Sequence, residues 1–248
     1  MLRVDTEEKI KKHYREKGVV EQYERNRYGN IAKSLSHWID CDAIEYFLRK
    51  YASALEGRFL DLACGTGRLT RALAPKGLDI TSADYSQEML EAAAQKCRQE
   101  KIPFQPVRMD ALSLSFKEET FDGVFTVRFI RHYKQEKRTL IYKQIHRVLK
   151  PKGILVFDVL NAEVDTTAHE RLAYDETYTW EGIRKELADH GFTLLERIAG
   201  NIVGIPVFTI AKKWSLLPLG RSLARRYRRR EDVINRATHW MVAAAKSR

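Results

Sequence analysis

The chain has 248 residues, of which 44% are hydrophobic and 31% charged, so it can bury one large core, or a core with a smaller cap. Its net charge of +11 is uneven, since the stretch from Lys212 to Arg230 holds eight Lys or Arg and no Asp or Glu. The first residues lack the apolar core of a signal peptide, and no apolar stretch approaches the roughly 20 residues of a membrane span. The cysteines, Cys41, Cys64 and Cys97, show no zinc or redox spacing. These features predict a cytoplasmic protein with reduced thiols that is at most peripheral to a membrane.

Residues 1–56 are polar and rich in helix-forming residues, with aromatic side chains interleaved among the charges. The segment 44–51 places its apolar residues at helical spacing. The sequence therefore predicts helices in this region, whose aromatic side chains either pack onto the edge of a sheet or line a binding site.

A strand, a tight loop and a helix are predicted over residues 59–73. The apolar run that starts at Phe59 reaches an acid, Asp61, and then a loop containing Gly65 and Gly67. Glycine in such a loop allows backbone conformations, or a close ligand approach, that a β-carbon would hinder. The dinucleotide fingerprint Gly-x-Gly-x-x-Gly/Ala is excluded because Thr70 occupies its third position.

Two further acids follow the next predicted strands. Asp84 ends the strand predicted over 78–83, and Asp110 follows the strand predicted over 104–108. The carboxyl ends of parallel strands meet at one edge of a sheet, where ligands bind. We therefore expect the carboxylates of Asp61, Asp84 and Asp110 to converge on a single crevice.

The remaining elements alternate between strands and helices. The sequence predicts a strand at 121–127, a helix whose buried face includes Leu140 and Leu149, a strand at 154–160, a helix capped by Thr179, a strand at 193–198 and a last strand at 239–245. Forty residues, 199–238, separate the two final predicted strands, and they include a basic segment in which Leu219, Leu223 and Tyr227 recur at helical spacing.

Two motifs carry a resemblance to a known family. The stretch from Asp61 to Gly67 resembles motif I (acid-x-small-x-Gly-x-Gly) of the class I S-adenosylmethionine (SAM) methyltransferases, with Ala63 where the family often has glycine. The stretch 147–153 resembles the family's RVLKPGG turn, with Lys152 in place of a glycine. The resemblance extends from residue 57 to about residue 160.

This resemblance implies a Rossmann-like α/β fold with a doubly wound, mostly parallel sheet of seven strands. The implied strand order is 3-2-1-4-5-7-6, with the last strand antiparallel. The implied organisation is an N-terminal helical lid over residues 1–56 and a SAM-binding domain over 57–248, in which residues 203–236 form a basic helical insertion.

The resemblance also implies SAM as cofactor, S-adenosylhomocysteine as product and no metal. Asp84 would accept the ribose hydroxyls, Tyr85 would lie against adenine, and Asp110 would accept the adenine amino group. The full implied set of cofactor-binding residues is Asp61, Ala63, Gly65, Thr66, Gly67, Asp84, Tyr85, Met89, Met109, Asp110, Ala111 and Val127.

The residues that could contact the methyl acceptor are predicted less specifically, because each has an alternative structural role. His132 is the candidate general base, although it could instead pack or hydrogen-bond its loop. Arg128 could bind a carboxylate or phosphate of the acceptor, or form a salt bridge to a neighbouring helix. Tyr23, Arg27 and Tyr28 could line the lid or pack the helices.

Missing motifs narrow the substrate. Residues 126–129 stand where methyltransferases of base amines and glutamine amides carry Asn/Asp-Pro-Pro-Tyr/Phe, and the Pro-Cys nucleophile of the 5-methylcytosine enzymes is lacking.

The sequence thus predicts an enzyme (EC 2.1.1.-) that methylates a small or amphiphilic metabolite by in-line displacement. One alternative is an RNA methyltransferase that binds phosphate through its arginine-rich insertion, although nucleic acid is disfavoured; the other is a non-catalytic SAM-binding module. Residues 212–230 could dock on an anionic membrane surface. The oligomeric state stays open.

Overall fold

The computed structural model describes residues 31–53, 56–164, 175–200 and 225–247. Its helices are α1 (Ile31–Tyr51), α2 (Arg68–Leu73), α3 (Gln87–Gln99), α4 (Gln135–Val148), α5 (Trp180–Asp189) and α6 (Glu231–Arg236), with single 3₁₀ turns at Ala74–Lys76 and Ile130–His132. Its strands are β1 (Arg58–Leu62), β2 (Asp79–Asp84), β3 (Gln105–Arg108), β4 (Phe121–Thr126), β5 (Leu149–Asn161), β6 (Thr177–Tyr178), β7 (Phe192–Ala199) and β8 (His239–Lys246).

The strands form one sheet in the order β3-β2-β1-β4-β5-β8-β7, with β6 paired to β5 beside this path. Strands β1 to β5 pair in parallel, whereas β8 lies antiparallel to both β5 and β7. The predicted topology is confirmed, because β7 and β8 are the predicted sixth and last strands. Strand β6 was not predicted, since two residues are too few to show an alternating pattern.

Helices cover both faces of the sheet. One core cluster joins α4 and α5 to the sheet, through residues such as Ile141, Tyr142 and Leu187. The other joins α1 and α2 to the opposite face, where Phe47 and Leu48 pack with Phe59, Phe125 and Met241. Helix α1 therefore contributes to the main core. The helical lid stays a prediction for residues 1–30, which lie outside the described residues.

Two details of the predicted fourth helix differ in the structure. Leu140 is 43% exposed rather than buried, and Leu149 is already part of β5. The helix ends at Val148, and Lys152, in the irregular start of β5 where its register with β4 shifts, has a φ of +64°. A left-handed backbone of this kind favours glycine, which explains the glycine of the family's turn at this position.

The described end of the basic insertion folds back onto α1. Arg228 is buried and forms an ion pair with Asp42, while the Arg225 side chain lies 2.8 Å from the same carboxylate. Arg229 stacks on the ring of Tyr46, 3.8 Å from its centroid. The expectation of a membrane-facing basic surface is therefore wrong for Arg228, because its charge is neutralised inside the protein. Leu219 and Leu223 lie outside the described residues, and no described helix is both long and apolar enough to cross a membrane.

Candidate cofactor and acceptor site

A cleft of about 820 Å³, open to solvent, lies at the carboxyl ends of β1, β2, β3 and β4. The lining residues are Leu62, Ala63, Gly65, Ala83, Asp84, Tyr85, Ser86, Met89, Met109, Asp110, Ala111, Val127, Arg128, Phe129, His132 and Tyr133. Most of the residues predicted from sequence to bind the cofactor thus share one cleft.

Asp84 stands at the end of β2, where its carboxylate joins two loops. One oxygen accepts the backbone N–H of Gly65 at 2.8 Å, and the other accepts that of Ser86 at 2.9 Å. Burial raises the pKa of Asp84, although these N–H groups oppose that effect. The Asp84 carboxylate is therefore held in place at the wall of the cleft, where it can accept hydrogen bonds from hydroxyl groups of a ligand.

The loop after β1 follows a left-handed backbone path. Ala63, Gly65 and Gly67 have φ values of +58°, +54° and +72°. A side chain at Gly65 would meet no atom within 4 Å, so glycine there leaves open space beside the cleft. A Cβ on Gly67 would instead lie 3.0 Å from the Cβ of Ala93, so this glycine permits the close packing of α2 on α3. Gly67 and the buried Thr66 do not line the cleft.

Asp61 does not join the other two acids, and the expected convergence of three carboxylates is wrong for this residue. Side chains alternate along β1, so Asp61 shares the face of Phe59 and points towards α2 rather than into the cleft. It is fully buried and accepts the Thr70 hydroxyl at 2.7 Å. Its second oxygen has no hydrogen-bond partner among the described residues. Burial raises the pKa of Asp61 from 3.8 to about 7, against the hydrogen bond from Thr70 and the charge of Arg68.

The burial of Asp61 predicts a pH dependence of stability. The folded state holds the Asp61 proton more tightly than the unfolded state, so the free energy of unfolding falls as pH rises from the ordinary pKa of 3.8 towards about 7. Between pH 5 and pH 6.5, we expect the free energy of unfolding of wild type to fall by about 1–2 kcal/mol more than that of Asp61→Asn. Urea unfolding of both proteins at each pH measures this difference, and equal slopes with pH would refute the raised pKa.

Residues that follow β2 and β3 line a further part of the cleft. Tyr85 follows Asp84, and Met89 lies in the first turn of α3, which the Ser86 side chain caps by accepting the Met89 N–H at 3.2 Å. Met109, Asp110 and Ala111 follow β3, and one Asp110 oxygen accepts the backbone N–H of Leu112 at 3.0 Å. Apolar side chains beside two carboxylates suit a flat heterocycle that carries hydroxyl and amino groups. The donor set thus fits an adenosyl group.

One short segment after β4 supplies the remaining lining residues of the cleft. Val127, Arg128, Phe129, His132 and Tyr133 all line it, and the rings of Phe129 and Tyr133 meet edge to face at 5.2 Å. This segment therefore brings a cation, an imidazole and an aromatic pair to the cleft.

Arg128 has a strained backbone in this segment. Its φ is +60°, and its N–H donates to Asp158 on β5. Its guanidinium lies 3.8 Å from the carboxylate of Asp40 on α1, so Arg128 forms a long ion pair with a neighbouring helix. Binding of an acceptor carboxylate or phosphate by Arg128 stays a prediction. Non-glycine residues in this conformation cluster at functional sites.

Several residues of the site were not found from the sequence. No sequence pattern marked Phe129 or Tyr133 as part of a site. Asp158 is a single acid within an otherwise apolar strand, and its position gave no sign of its partners. Asp175, whose carboxylate contacts Nδ1 of His132, lies 43 residues away in the chain, so spacing gave no signal. Tyr23, Arg27 and Tyr28 lie outside the described residues.

A parallel sheet of this order, with paired acids at the ends of β2 and β3, has the fold of class I SAM-dependent methyltransferases. Residues 59–153 match the sequence model of the family described as "Methyltransferase domain". The sequence of this part of the chain is therefore similar to that domain.

Known proteins give both sequence and structural similarity. The YqeM protein of Bacillus subtilis is 38% identical over 134 residues, which are 51% of this chain and 53% of YqeM. A demethylmenaquinone methyltransferase of Clavibacter sepedonicus is 36% identical over 44% of this chain and 43% of its own. The SAM-bound magnesium protoporphyrin IX methyltransferase of Synechocystis superposes with a TM-score of 0.69 at 16% identity, covering 100% of both chains.

These similarities differ in what they establish. The structural likeness, at such low identity, shows the fold alone. The chain spans about half the length of the curated relatives it matches.

Proposed function

We propose that this protein is an enzyme that transfers a methyl group from SAM to a small or amphiphilic metabolite. The observation that carries the proposal is one cleft lined by two chemically different sets of residues. Asp84 and Asp110 follow β2 and β3 and suit an adenosyl group, whereas Arg128 and His132 follow β4 and would face the acceptor. SAM and the acceptor would thus lie side by side along the carboxyl ends of the strands, with the transferred methyl group between them.

When bound, SAM supplies an electrophilic methyl group, whose C–S bond breaks with its electrons left on sulfur as the acceptor's lone pair forms the new bond. Asp84 would hold the ribose hydroxyls, and Asp110 would accept from the adenine amino group. His132 would take the acceptor's proton, which completes the balance of the reaction. Alignment of the two reactants and exclusion of water would supply much of the acceleration.

The acceptor class follows from the lining residues after β4. Phe129 and Tyr133 offer aromatic surface for an apolar or planar group, and Arg128 offers a cation for a carboxylate or phosphate. Two relatives are named as a demethylmenaquinone methyltransferase and a ubiquinone/menaquinone C-methyltransferase. We therefore choose demethylmenaquinone as the first acceptor probe.

The experiment combines cofactor binding with turnover. Native mass spectrometry of the purified protein should show retained SAM or S-adenosylhomocysteine, and calorimetry should show binding of both. Formation of S-adenosylhomocysteine in the presence of demethylmenaquinone would identify this acceptor. If neither cofactor form binds to the folded protein, the proposed function fails.

The basic insertion is the segment that suggested a membrane or nucleic-acid partner. Arg225, Arg228 and Arg229 interact with α1, so part of the charge that suggested nucleic acid or membrane binding is used within the chain. Docking of residues 212–230 on anionic lipid and a cytoplasmic location remain predictions. Sedimentation with anionic vesicles would support the first, whereas RNA binding that weakens steeply with salt would favour the RNA alternative.

A further inference from the structure

The imidazole of His132 is held by a buried carboxylate at the inner wall of the cleft. His132 is 4% exposed and Asp175 is also 4% exposed, and the Nδ1 atom of the imidazole contacts Oδ1 of Asp175. The ring belongs to the 3₁₀ turn after β4, whereas the acid comes from the connection that leads from β5 to β6. Tertiary folding alone brings these two groups together.

Asp175 is itself fixed from two sides. The Nε atom of Arg131 lies 3.8 Å from Oδ2 of Asp175, and the backbone carbonyl of Arg131 accepts the N–H of Glu176 at 2.8 Å. The Nη1 atom of Arg131 donates to Asp158 at 2.8 Å, and the other Asp158 oxygen accepts the Arg128 N–H. Burial acts to raise the pKa of Asp158, but the charge of Arg131, together with the backbone N–H and the charge of Arg128, holds it below its ordinary value.

The arrangement therefore links Arg128 and His132 through buried charges. Asp158 fixes the backbone of Arg128, Arg131 bridges the two carboxylates, and Asp175 contacts the imidazole. Which nitrogen of a neutral imidazole carries the proton is set by the hydrogen bond of the other nitrogen. A carboxylate at Nδ1 accepts a hydrogen bond, so it favours the form in which Nδ1 is protonated and Nε2 has the lone pair.

We propose that Asp175 is the positioning residue for His132, and that it keeps the imidazole in the form that accepts the acceptor's proton at Nε2. This inference rests on the proposed function, because only methyl transfer to an X–H group releases a proton. The proton moves from the acceptor to Nε2, and the Asp175 carboxylate stabilises the imidazolium that results. Asp175 keeps its own charge throughout.

The test measures the position of the proton without requiring the acceptor. Long-range ¹H–¹⁵N spectra of histidine-labelled protein with S-adenosylhomocysteine, assigned with His132→Gln, report which ring nitrogen is protonated. We expect the neutral imidazole of wild-type His132 to carry its proton on Nδ1 and its lone pair on Nε2. Wild-type protein with the proton on Nε2 overturns the proposal, whether or not any variant folds.

The variant Asp175→Asn removes the charge and keeps the size of the side chain. Its amide can donate to Nδ1, so we expect the proton to move to Nε2, whereas Asp189→Asn, on an exposed residue, should leave His132 unchanged. An Asp175→Asn protein that is less stable but keeps the wild-type pattern would mean that Asp175 is only structural, and would refute the proposal. Calorimetric titration of the wild-type protein with SAM tests the proposed function separately from the role of Asp175. If wild type does not bind SAM, the proposed function fails, whereas the measured position of the His132 proton still tests the role of Asp175.

Discussion

The Arg228→Met variant is expected to have a free energy of unfolding about 3 kcal/mol below that of wild type. Removing one partner of a buried ion pair leaves the other charge buried and uncompensated, at a cost of about 3–5 kcal/mol. Arg228 is fully buried, and its guanidinium contacts the Asp42 carboxylate and lies 3.4 Å from the carbonyl oxygen of Ile39. The lower end of the range applies because Arg225 still reaches Asp42. Burial lowers the pKa of Arg228 to about 10, which reflects the same desolvation.

Urea unfolding measures this loss, and the chain offers a matched control. Arg226 is exposed two residues away, so Arg226→Met should change stability by less than about 0.5 kcal/mol. Adding Asp42→Asn to Arg228→Met removes the unpaired charge and should recover part of the loss. Equal stability of wild type and Arg228→Met would show that the basic segment does not anchor on α1.

The Asp84→Ala variant is expected to bind SAM roughly 10- to 150-fold more weakly, which corresponds to about 1.5–3 kcal/mol for hydrogen bonds to a charged group. The carboxylate would lose its bonds to the ligand, and the Gly65 and Ser86 N–H groups would lose their acceptor. Both effects act at the cleft, since Gly65 and Ser86 line it as well.

Calorimetric titration with SAM and with S-adenosylhomocysteine checks this expectation. Asp79→Ala is the matched control. Asp79 begins the same strand, at the end away from the cleft, and its carboxylate accepts from the Gln105 side chain at 2.9 Å. The affinity of this variant should stay at the wild-type value. If Asp84→Ala binds both ligands as tightly as wild type does while remaining folded, Asp84 is not part of the cofactor site.

The local elements and their order followed from the sequence because they depend on short-range physics. The alternation of apolar strands and amphipathic helices predicts a parallel sheet, and the cap at Thr179 was found where predicted. The acids after β2 and β3 could be placed at one edge because parallel strands end on the same side. The positions of Ala63 and Lys152 were identified as family glycine sites, and both have the positive φ that glycine favours.

Tertiary structure alone decided which charged groups face the cleft and which face the core. Asp61 and Asp84 look equivalent in the sequence, yet the alternation of side chains in β1 buries the first against Thr70. The partners of His132 and of Arg228 lie 43 and 186 residues away, in Asp175 and Asp42. Spacing in a sequence reports neighbours within one element, whereas pairing between distant charges depends on how the elements pack. The sequence thus determined the fold and the edge of the sheet that binds, and packing determined the chemistry available there.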